Sequence, residues 1–434
     1  MKQVNVGIIG FGTVGAGTVE VLLQNRDIIR SRVGSEIVVK KIADLDVRSD
    51  RGIPIEPSLL TTDAMEVIND PDIDIVVELM GGIDIAKGFI LEAFKKGKQV
   101  VTANKALLAE HGEEIYQAAQ KQDVTIAFEA SVGGGIPIIR ALRDGLSANR
   151  INTIMGILNG TSNYILTRMA QEGQPYDLAV KEAIELGYAE DPPTLDVDGT
   201  DAAHKLAILV SMAFGLPVAF SSIYREGIDR LTPEDIRFAH EFGYTLKLLA
   251  IARHREEGVE ARVHPAMVPL GHIMANVNGV YNAVYIDGDF VGPNLYYGYG
   301  AGRKPTGSAV VSDIIYLAKQ LRQGVKNFTP PLAHAIPREG SIKIQPIESL
   351  VSAYYFRFFA VDKPGVLSKI SGILGDHEIS ISAVIQKGRG EKGSVPIVMM
   401  THEAREINVL KALSLMDQLD VLTDKTIVIR VEEG

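Results

Sequence analysis

The chain has 434 residues, 46% of them hydrophobic and 23% charged, with a formal net charge of −10 and no cysteine. At ~100–200 residues per domain that length allows two to four domains, and the composition is ordinary for a soluble globular protein. The acidic balance argues against nucleic-acid binding, which needs a basic footprint, and the lack of cysteine excludes disulfides, thiolate metal sites and a cysteine nucleophile.

The first residues run straight into a buried-strand pattern without a basic, apolar leader, and no stretch approaches the ~20 apolar residues of a membrane span. A cytoplasmic protein, not bound to a membrane, is expected. Residues 4–9 are short, apolar and β-branched, the pattern of a strand buried on both faces. The turn Gly10-Phe11-Gly12-Thr13-Val14-Gly15 follows, and a helical stretch runs over 18–23. Further strands are predicted at 37–43, ending beside Asp44, at 73–79, ending in Gly81-Gly82, at 99–102 and at 124–129, with helices at 86–96 and 106–121. This alternation predicts an α/β fold whose first domain, residues 1–130, is a Rossmann-type doubly wound parallel sheet.

The pattern then changes. A strand at 151–158, a helix at 160–171, a polar Pro-containing loop at 188–199 and a helix at 200–214 come first. Strand-like runs over 262–290, broken by Asn-Gly and Asp-Gly, follow as in an antiparallel sheet. The Gly- and Tyr-rich stretch 296–307 reads as a loop, and 308–325 as a helix returning to the first domain. Residues 131–307 are thus expected to form a central α+β substrate-binding and dimerisation domain. Pro330, Pro331 and Pro337 mark a linker over 326–350. Beyond it, strands at 354–361, 379–386, 395–401 and 426–431 and helices at 365–376 and 403–419 give the order βαββαβ, the split ferredoxin-like unit, assigned to 351–434.

Gly10-x-Gly12-x-x-Gly15 between a strand and a helix has the spacing of a dinucleotide loop. The first Gly allows a tight turn, the second lets backbone approach a pyrophosphate, and the third lets helix and strand pack closely. The helix N-terminus adds amide donors and partial positive charge. Phe11, Thr13 and Val14 complete the loop. Gly81 and Thr102 lie at strand ends, on the edge where such sheets take their ligands. Asp44 can accept from ribose hydroxyls, as for NAD, whereas Arg48 and Arg51 suit the 2′-phosphate of NADP, with Asp46 between them weakening that option. NAD and NADP both stay open. A glycine-rich turn without a ligand is the bland alternative; strand, helix and acid together argue against it.

Reducing a carbonyl requires a hydride donor, a proton donor for the nascent alkoxide, and groups that hold the substrate. Lysine suits proton donation, because burial or a neighbouring cation lowers its pKa. Lys105 closes Val101-Thr102-Ala103-Asn104-Lys105, just past a strand end. Lys205 lies on a predicted helix one turn after Asp201, so the two share a face. That spacing is also the spacing of a solvated ion pair. The preceding loop tips the balance: Glu190, Asp191, Asp196 and Asp198, set among Pro192, Pro193 and Gly199, suit the ammonium group of an amino acid. Their spacing does not match an EF-hand. His204 points about 100° away around the helix and reads as packing.

Two longer motifs go further: Gly156-Ile157-Leu158-Asn159-Gly160-Thr161-Ser162-Asn163-Tyr164-Ile165-Leu166, and Gly187-Tyr188-Ala189-Glu190-Asp191-Pro192 running through Asp196-Val197-Asp198-Gly199-Thr200-Asp201-Ala202-Ala203-His204-Lys205. With Thr102–Lys105 and Gly300–Gly307 they make the sequence resemble the homoserine dehydrogenases over nearly its whole length. The resemblance implies NAD(P)-dependent interconversion of L-aspartate 4-semialdehyde and L-homoserine, in threonine, methionine and isoleucine biosynthesis. It implies Lys205 as proton donor, Lys105 beside substrate and nicotinamide, Glu190 and Asp201 as substrate-binding, Asp196 as an orienting acid, and Gly187 and Gly302 against the cofactor. It also implies a monovalent cation, usually Na+, on the Glu129 carboxylate and the carbonyls of Val132, Gly134 and Ile136; from the residues alone that segment is a Gly-rich turn. The C-terminal unit resembles the ACT domain at Asp362-Lys363-Pro364-Gly365-Val366-Leu367, which implies threonine as an effector; a domain serving only oligomerisation is the alternative. A homodimer or homotetramer is expected. The contrasting class is a non-catalytic NAD(P)-binding amino-acid sensor, which has no need of Lys205, Asp201 and Glu190 together.

Overall fold

In the computed structural model the described residues are 3–324, 330–334, 342–386 and 394–433. Pro337 of the predicted linker lies outside them. They fall into two compact units, Met1–Gly160 with Asp201–Ile223 and Tyr281–Ile342, and Thr161–Thr200 with Tyr224–Val280 and Lys343–Gly434.

In the first unit, β1 (Val4–Ile9), β2 (Ile37–Ala43), β3 (Leu60–Thr61), β4 (Ile75–Glu78), β5 (Gln99–Thr102) and β6 (Ile126–Ala127) form one parallel sheet in the order β3-β2-β1-β4-β5-β6. The order reverses between β1 and β4, and ligands of such sheets bind at the carboxyl edge of that crevice. Val6, Ile8, Ile75, Val77 and Val101 pack with Val310, Ile314 and Leu317 of helix Arg303–Gln323 in one core. Each such buried aliphatic contributes about 1.5–3 kcal/mol. The returning helix therefore exists, and it starts at Arg303. It meets helix Thr13–Gln24 at glycine: a Cβ on Gly17 would lie 2.0 Å from the Arg303 carbonyl oxygen, and one on Gly307 2.6 Å from the Gly17 carbonyl carbon.

The predicted loop at 296–307 is corrected. Tyr296–Tyr299 end the strand Gly292–Tyr299, which pairs antiparallel with Tyr281–Gly288, itself paired with Ile151–Ile157. Tyr281 stacks on Tyr297 and Tyr299 at centroid distances of 5.0 and 4.7 Å, a cross-strand aromatic ladder that outweighs the glycines. Pro305 sits in the first helical turn, where its missing N–H breaks nothing. The predicted strand at 124–129 shrinks to Ile126–Ala127, because Glu129–Ser131 turn into a 3-10 helix.

In the second unit, strands Tyr244–Arg255 and Gly258–Pro269 form a long antiparallel pair. The periodicity reading left the first of these unassigned: its apolar run, Leu248 to Ala252, is buried throughout and shows no alternation. Ile427–Val431 pairs parallel with Gly258–Pro269 and antiparallel with Tyr354–Val361. The sheet continues through Ser394–Thr401 to Ile381–Gln386, the ferredoxin-like order expected for the C-terminal domain. Tyr354, Phe356 and Phe358 pack there against Ile370, Leu374 and Met399. A buried ion pair, Arg357 Nε to Asp235 Oδ1 at 2.6 Å, ties this sheet to helix Pro233–Glu241. Among the described residues no helix is long and apolar enough to cross a membrane.

Candidate active site

The three loop glycines behave differently, as a dinucleotide loop requires. Gly10 has φ +100°, and a Cβ there would lie 2.6 Å from the Leu79 carbonyl. A Cβ on Gly15 would lie 2.2 Å from the Gly10 oxygen, while Gly12 faces open space, with nothing within 4 Å. The first and third glycines thus make the close packing possible, and the second leaves room for a pyrophosphate. Helix Thr13–Gln24 has no side-chain cap, so its first amides face outward at Gly12 and Thr13, both exposed. Asp44 accepts the Phe11 N–H at 2.5 Å and the Asp46 N–H at 2.9 Å, which fixes it beneath the loop. Asp46 pairs with Arg51 at 3.1 Å, and Arg48 is exposed. Gly81 is exposed in the turn after β4, and Thr102 is buried at the end of β5. Gly302, at φ +121°, immediately precedes helix Arg303–Gln323.

Lys105, Asp201 and Lys205 come together in this same unit. Helix Thr200–Phe214 puts Asp201 and Lys205 on one turn, with Lys205 Nζ 2.7 Å from Asp201 Oδ2. Their side chains are 8% and 9% exposed, so the solvated-pair alternative does not hold. Lys205 also donates to the Leu158 carbonyl at 2.6 Å, and Asn159 Nδ2 donates to Asp201 at 2.9 Å; both residues follow strand Ile151–Ile157. Lys105 opens helix Lys105–Lys121, and its Nζ lies 3.0 Å from Asp201 Oδ1. It is 43% exposed, open to the carboxyl edge of the sheet. Burial works against an ionised Asp201, but Lys205 and then Lys105, with the hydrogen bonds from Lys205 and Asn159, hold its carboxyl well below the usual carboxylate range. The site is therefore a carboxylate gripped between two ammonium groups. Spacing assigns Leu158 and Asn159 no role, because a backbone acceptor and an amide donor leave no signature in it.

His204 packs on Phe220 at 4.2 Å and reaches to within 3.4 Å of Glu110. Burial lowers its pKa against the attraction of Glu110, in keeping with a packed imidazole. The turn after β6 brings Glu129 against Asp313 of helix Arg303–Gln323. Glu129 is buried, accepts the Ile139 and Arg140 amides at 2.8 and 3.0 Å, and donates its own N–H to Asp313 at 2.7 Å. Burial and the neighbouring Asp313 push the Glu129 carboxyl up to about 7, and burial pushes Asp313 up to about 6. Arg140 lies between the two acids, 3.1 Å from Asp313 and 3.9 Å from Glu129, and opposes that rise at both, with Arg143 helping at Asp313. Gly133 and Gly134, at φ +70° and +51°, fold Val132–Ile136 into a tight turn beside them. Oxygen donors on buried carboxyls, whose ionised forms a positive charge would favour, fit a hard monovalent cation.

Glu190 and Asp196 belong to the second unit, where Glu190 is exposed and Asp196 lies in the short helix Thr194–Val197. Gly187, at φ +72°, follows helix Tyr176–Glu185 and donates to the Ile184 carbonyl, as a terminating glycine does. In the same unit Gly365, at φ +88°, opens helix Val366–Asp376 without a side-chain cap.

A dinucleotide-type glycine loop and a buried lysine–carboxylate pair in one unit are features of the nicotinamide-dependent oxidoreductases, the class to which the chain belongs. Its relatives agree. Residues 10–129 match the family described as homoserine dehydrogenase, NAD binding domain, residues 137–315 match homoserine dehydrogenase, and residues 354–421 match the ACT domain. The chain belongs to the homoserine dehydrogenase family. It is 45% identical to the homoserine dehydrogenase of Neisseria gonorrhoeae over 432 residues, covering 100% of this chain and 99% of that one. It is 46% identical to that of Pseudomonas aeruginosa over 436 residues, with 100% of both chains covered. The crystal structure of a homoserine dehydrogenase from Thiobacillus denitrificans superposes with a TM-score of 0.93 at 46% identity, over 100% of this chain and 99% of that one.

Proposed function

We propose that the chain interconverts L-homoserine and L-aspartate 4-semialdehyde with NAD or NADP, and that Lys205 moves the proton. The observation that carries this is the buried Asp201–Lys205 pair, with the partly exposed Lys105 on its other side, in the unit that also holds the glycine loop. When bound, the nicotinamide supplies or accepts the hydride at the substrate carbon that bears oxygen. In the reductive direction the Lys205 ammonium protonates that oxygen as it becomes an alkoxide, and in oxidation the amine takes the proton back. Asp201 fixes the Lys205 head group, with Leu158 as second acceptor, and so sets the direction of the proton. Lys105 places a second positive charge where negative charge develops. For Glu190 and Asp196 a substrate role rests on the family resemblance. Following nicotinamide absorbance with homoserine as substrate tests the proposal. Dinucleotide binding without homoserine-dependent turnover would favour the sensor instead.

The Glu129 turn holds Na+ in this reading, with the Val132, Gly134 and Ile136 carbonyls as further ligands. A ligand that binds only the folded state stabilises it by mass action. At constant ionic strength, replacing a bulky organic cation by Na+ is therefore expected to raise Tm in wild type and not in Glu129→Gln. An equal rise in both would place the cation effect elsewhere.

The C-terminal domain carries regulation by threonine, whose carboxylate meets the amides of helix Val366–Asp376 at the Gly365 turn. Taking the rate with threonine over the rate without it as readout, Asp362→Ala is expected to need at least about tenfold more threonine for half inhibition, the loss of one charge-assisted contact. A wild type that threonine does not inhibit would leave the domain to assembly. Assembly as a homodimer or homotetramer, in the cytoplasm, completes the reading; the outer strand Gly292–Tyr299, with Tyr297 and Tyr299 53% and 49% exposed, offers a surface for it.

A further inference from the structure

The end of β4 carries a carboxyl that proton and hydride transfer leave unused. Glu78 is fully buried and lies beside Thr102, its partner at the end of β5. One of its oxygens accepts the Met80 amide at 2.8 Å, and the other accepts the Thr102 hydroxyl at 2.6 Å. The Thr102 oxygen in turn accepts the Asn104 amide at 3.0 Å. The Asn104 side chain then donates to the Gly82 carbonyl at 2.7 Å and accepts the Leu107 amide at 3.1 Å, capping the helix that Lys105 opens. One buried carboxyl thus knots together the two segments that leave the sheet at its ligand edge. The first segment supplies the Leu79–Met80 backbone on which Gly10 rests. The second delivers Lys105 to Asp201.

Such a group is costly. Burial pushes the Glu78 carboxyl up to about 7, and the opposing interactions are only the Thr102 and Met80 hydrogen bonds, with no cation among them. An apolar residue in its place would continue the Ile75-Val76-Val77 run at no such expense. We propose that Glu78 is a positioning residue: by holding Thr102 and Met80 it fixes the turn that presents Lys105 to Asp201 next to the glycine loop. The proposal rests on Lys105 and Asp201 forming the reacting site.

Glutamine cannot take over both bonds. An ionised carboxyl offers two acceptors, whereas an amide offers one acceptor and one donor group. If the amide nitrogen faces Met80, donor meets donor. If it faces Thr102, the hydroxyl hydrogen loses its acceptor. In the full-length enzyme at about pH 9, where the carboxyl is ionised, Glu78→Gln is expected to lower kcat about 10- to 100-fold, with a much smaller change in the KM for homoserine. Thr102→Val should do the same, Thr102→Ser should recover most of that loss, and the double variant Glu78→Gln/Thr102→Val should be no worse than the poorer single by more than about twofold, because the two act as one unit. An unchanged kcat in Glu78→Gln, or losses that multiply in the double variant, overturns the proposal. If Glu78→Gln does not fold, Thr102→Ser against Thr102→Val decides, and equal kcat in those two overturns it. Lys105→Ala and Asp201→Asn in the same assay separate the failures: if both keep turnover, the reacting site itself is wrong, and if both lose it while Glu78→Gln does not, only the positioning role falls.

Discussion

Replacing Lys205 with alanine is expected to lower kcat for homoserine by about 10²–10⁴-fold, the usual worth of a positioned general acid, while dinucleotide binding survives. The two effects separate because Lys205 sits on helix Thr200–Phe214 with Asp201 and Leu158 as partners, while the glycine loop belongs to another element. Lys205→Arg sharpens the test. Arginine keeps the positive charge and can pair with Asp201, but its guanidinium does not release a proton at working pH. An arginine variant as inactive as alanine assigns Lys205 to proton transfer. One that recovers most of the rate would show that charge alone suffices. The measurements are steady-state kcat in both directions and a fluorescence titration with the reduced dinucleotide. Wild-type turnover in Lys205→Ala would remove Lys205 from the chemistry.

Much of this site could be read from spacing because its parts are local. Gly10, Gly12 and Gly15 announce themselves by interval, and Asp201 and Lys205 fall one helical turn apart. Periodicity likewise gave the alternation of strand and helix in the nucleotide-binding part and the βαββαβ sequence of the C-terminal domain, since β-branched runs and helical stripes are short-range patterns. Two kinds of feature stayed out of reach. Lys105 and Asp201 are 96 residues apart in sequence and meet through folding, so no interval records their 3.0 Å contact. Glu78 reads as part of a strand, because its meaning depends on burial and on a cross-strand neighbour, Thr102. The strand Tyr244–Arg255 was missed for the opposite reason: an unbroken apolar run carries no period that separates strand from helix. At 296–307, glycine and tyrosine spoke for a loop while the aromatic ladder with Tyr281 made a strand.

The second large effect is expected at Asp201. Removing its side chain takes from the Lys205 ammonium, 9% exposed, the counter-charge that lies 2.7 Å away. Breaking a buried pair from one side costs about 3–5 kcal/mol, because the remaining charge stays desolvated. Lys105 is 43% exposed and solvent screens its share, so Asp201→Ala is expected near the lower end of that range, about 3 kcal/mol. The pH dependence has a definite sign. The Asp201 carboxyl is held below the usual carboxylate range, so the unfolded chain binds its proton first as the pH falls. Its stabilisation is complete well above the unfolded value of about 3.9 and fades as the pH drops through that value towards the folded one. The stability gap between wild type and Asp201→Ala should therefore be full at neutral pH and narrow in acid, as read by urea unfolding across the range. Asp201→Asn keeps an acceptor for Lys205 but not the charge. It should recover part of the stability and little of the rate, since the carboxylate also gathers Lys105 to the site. A neutral-pH stability and kcat equal to wild type in both variants would mean that the two lysines do not depend on the acid between them.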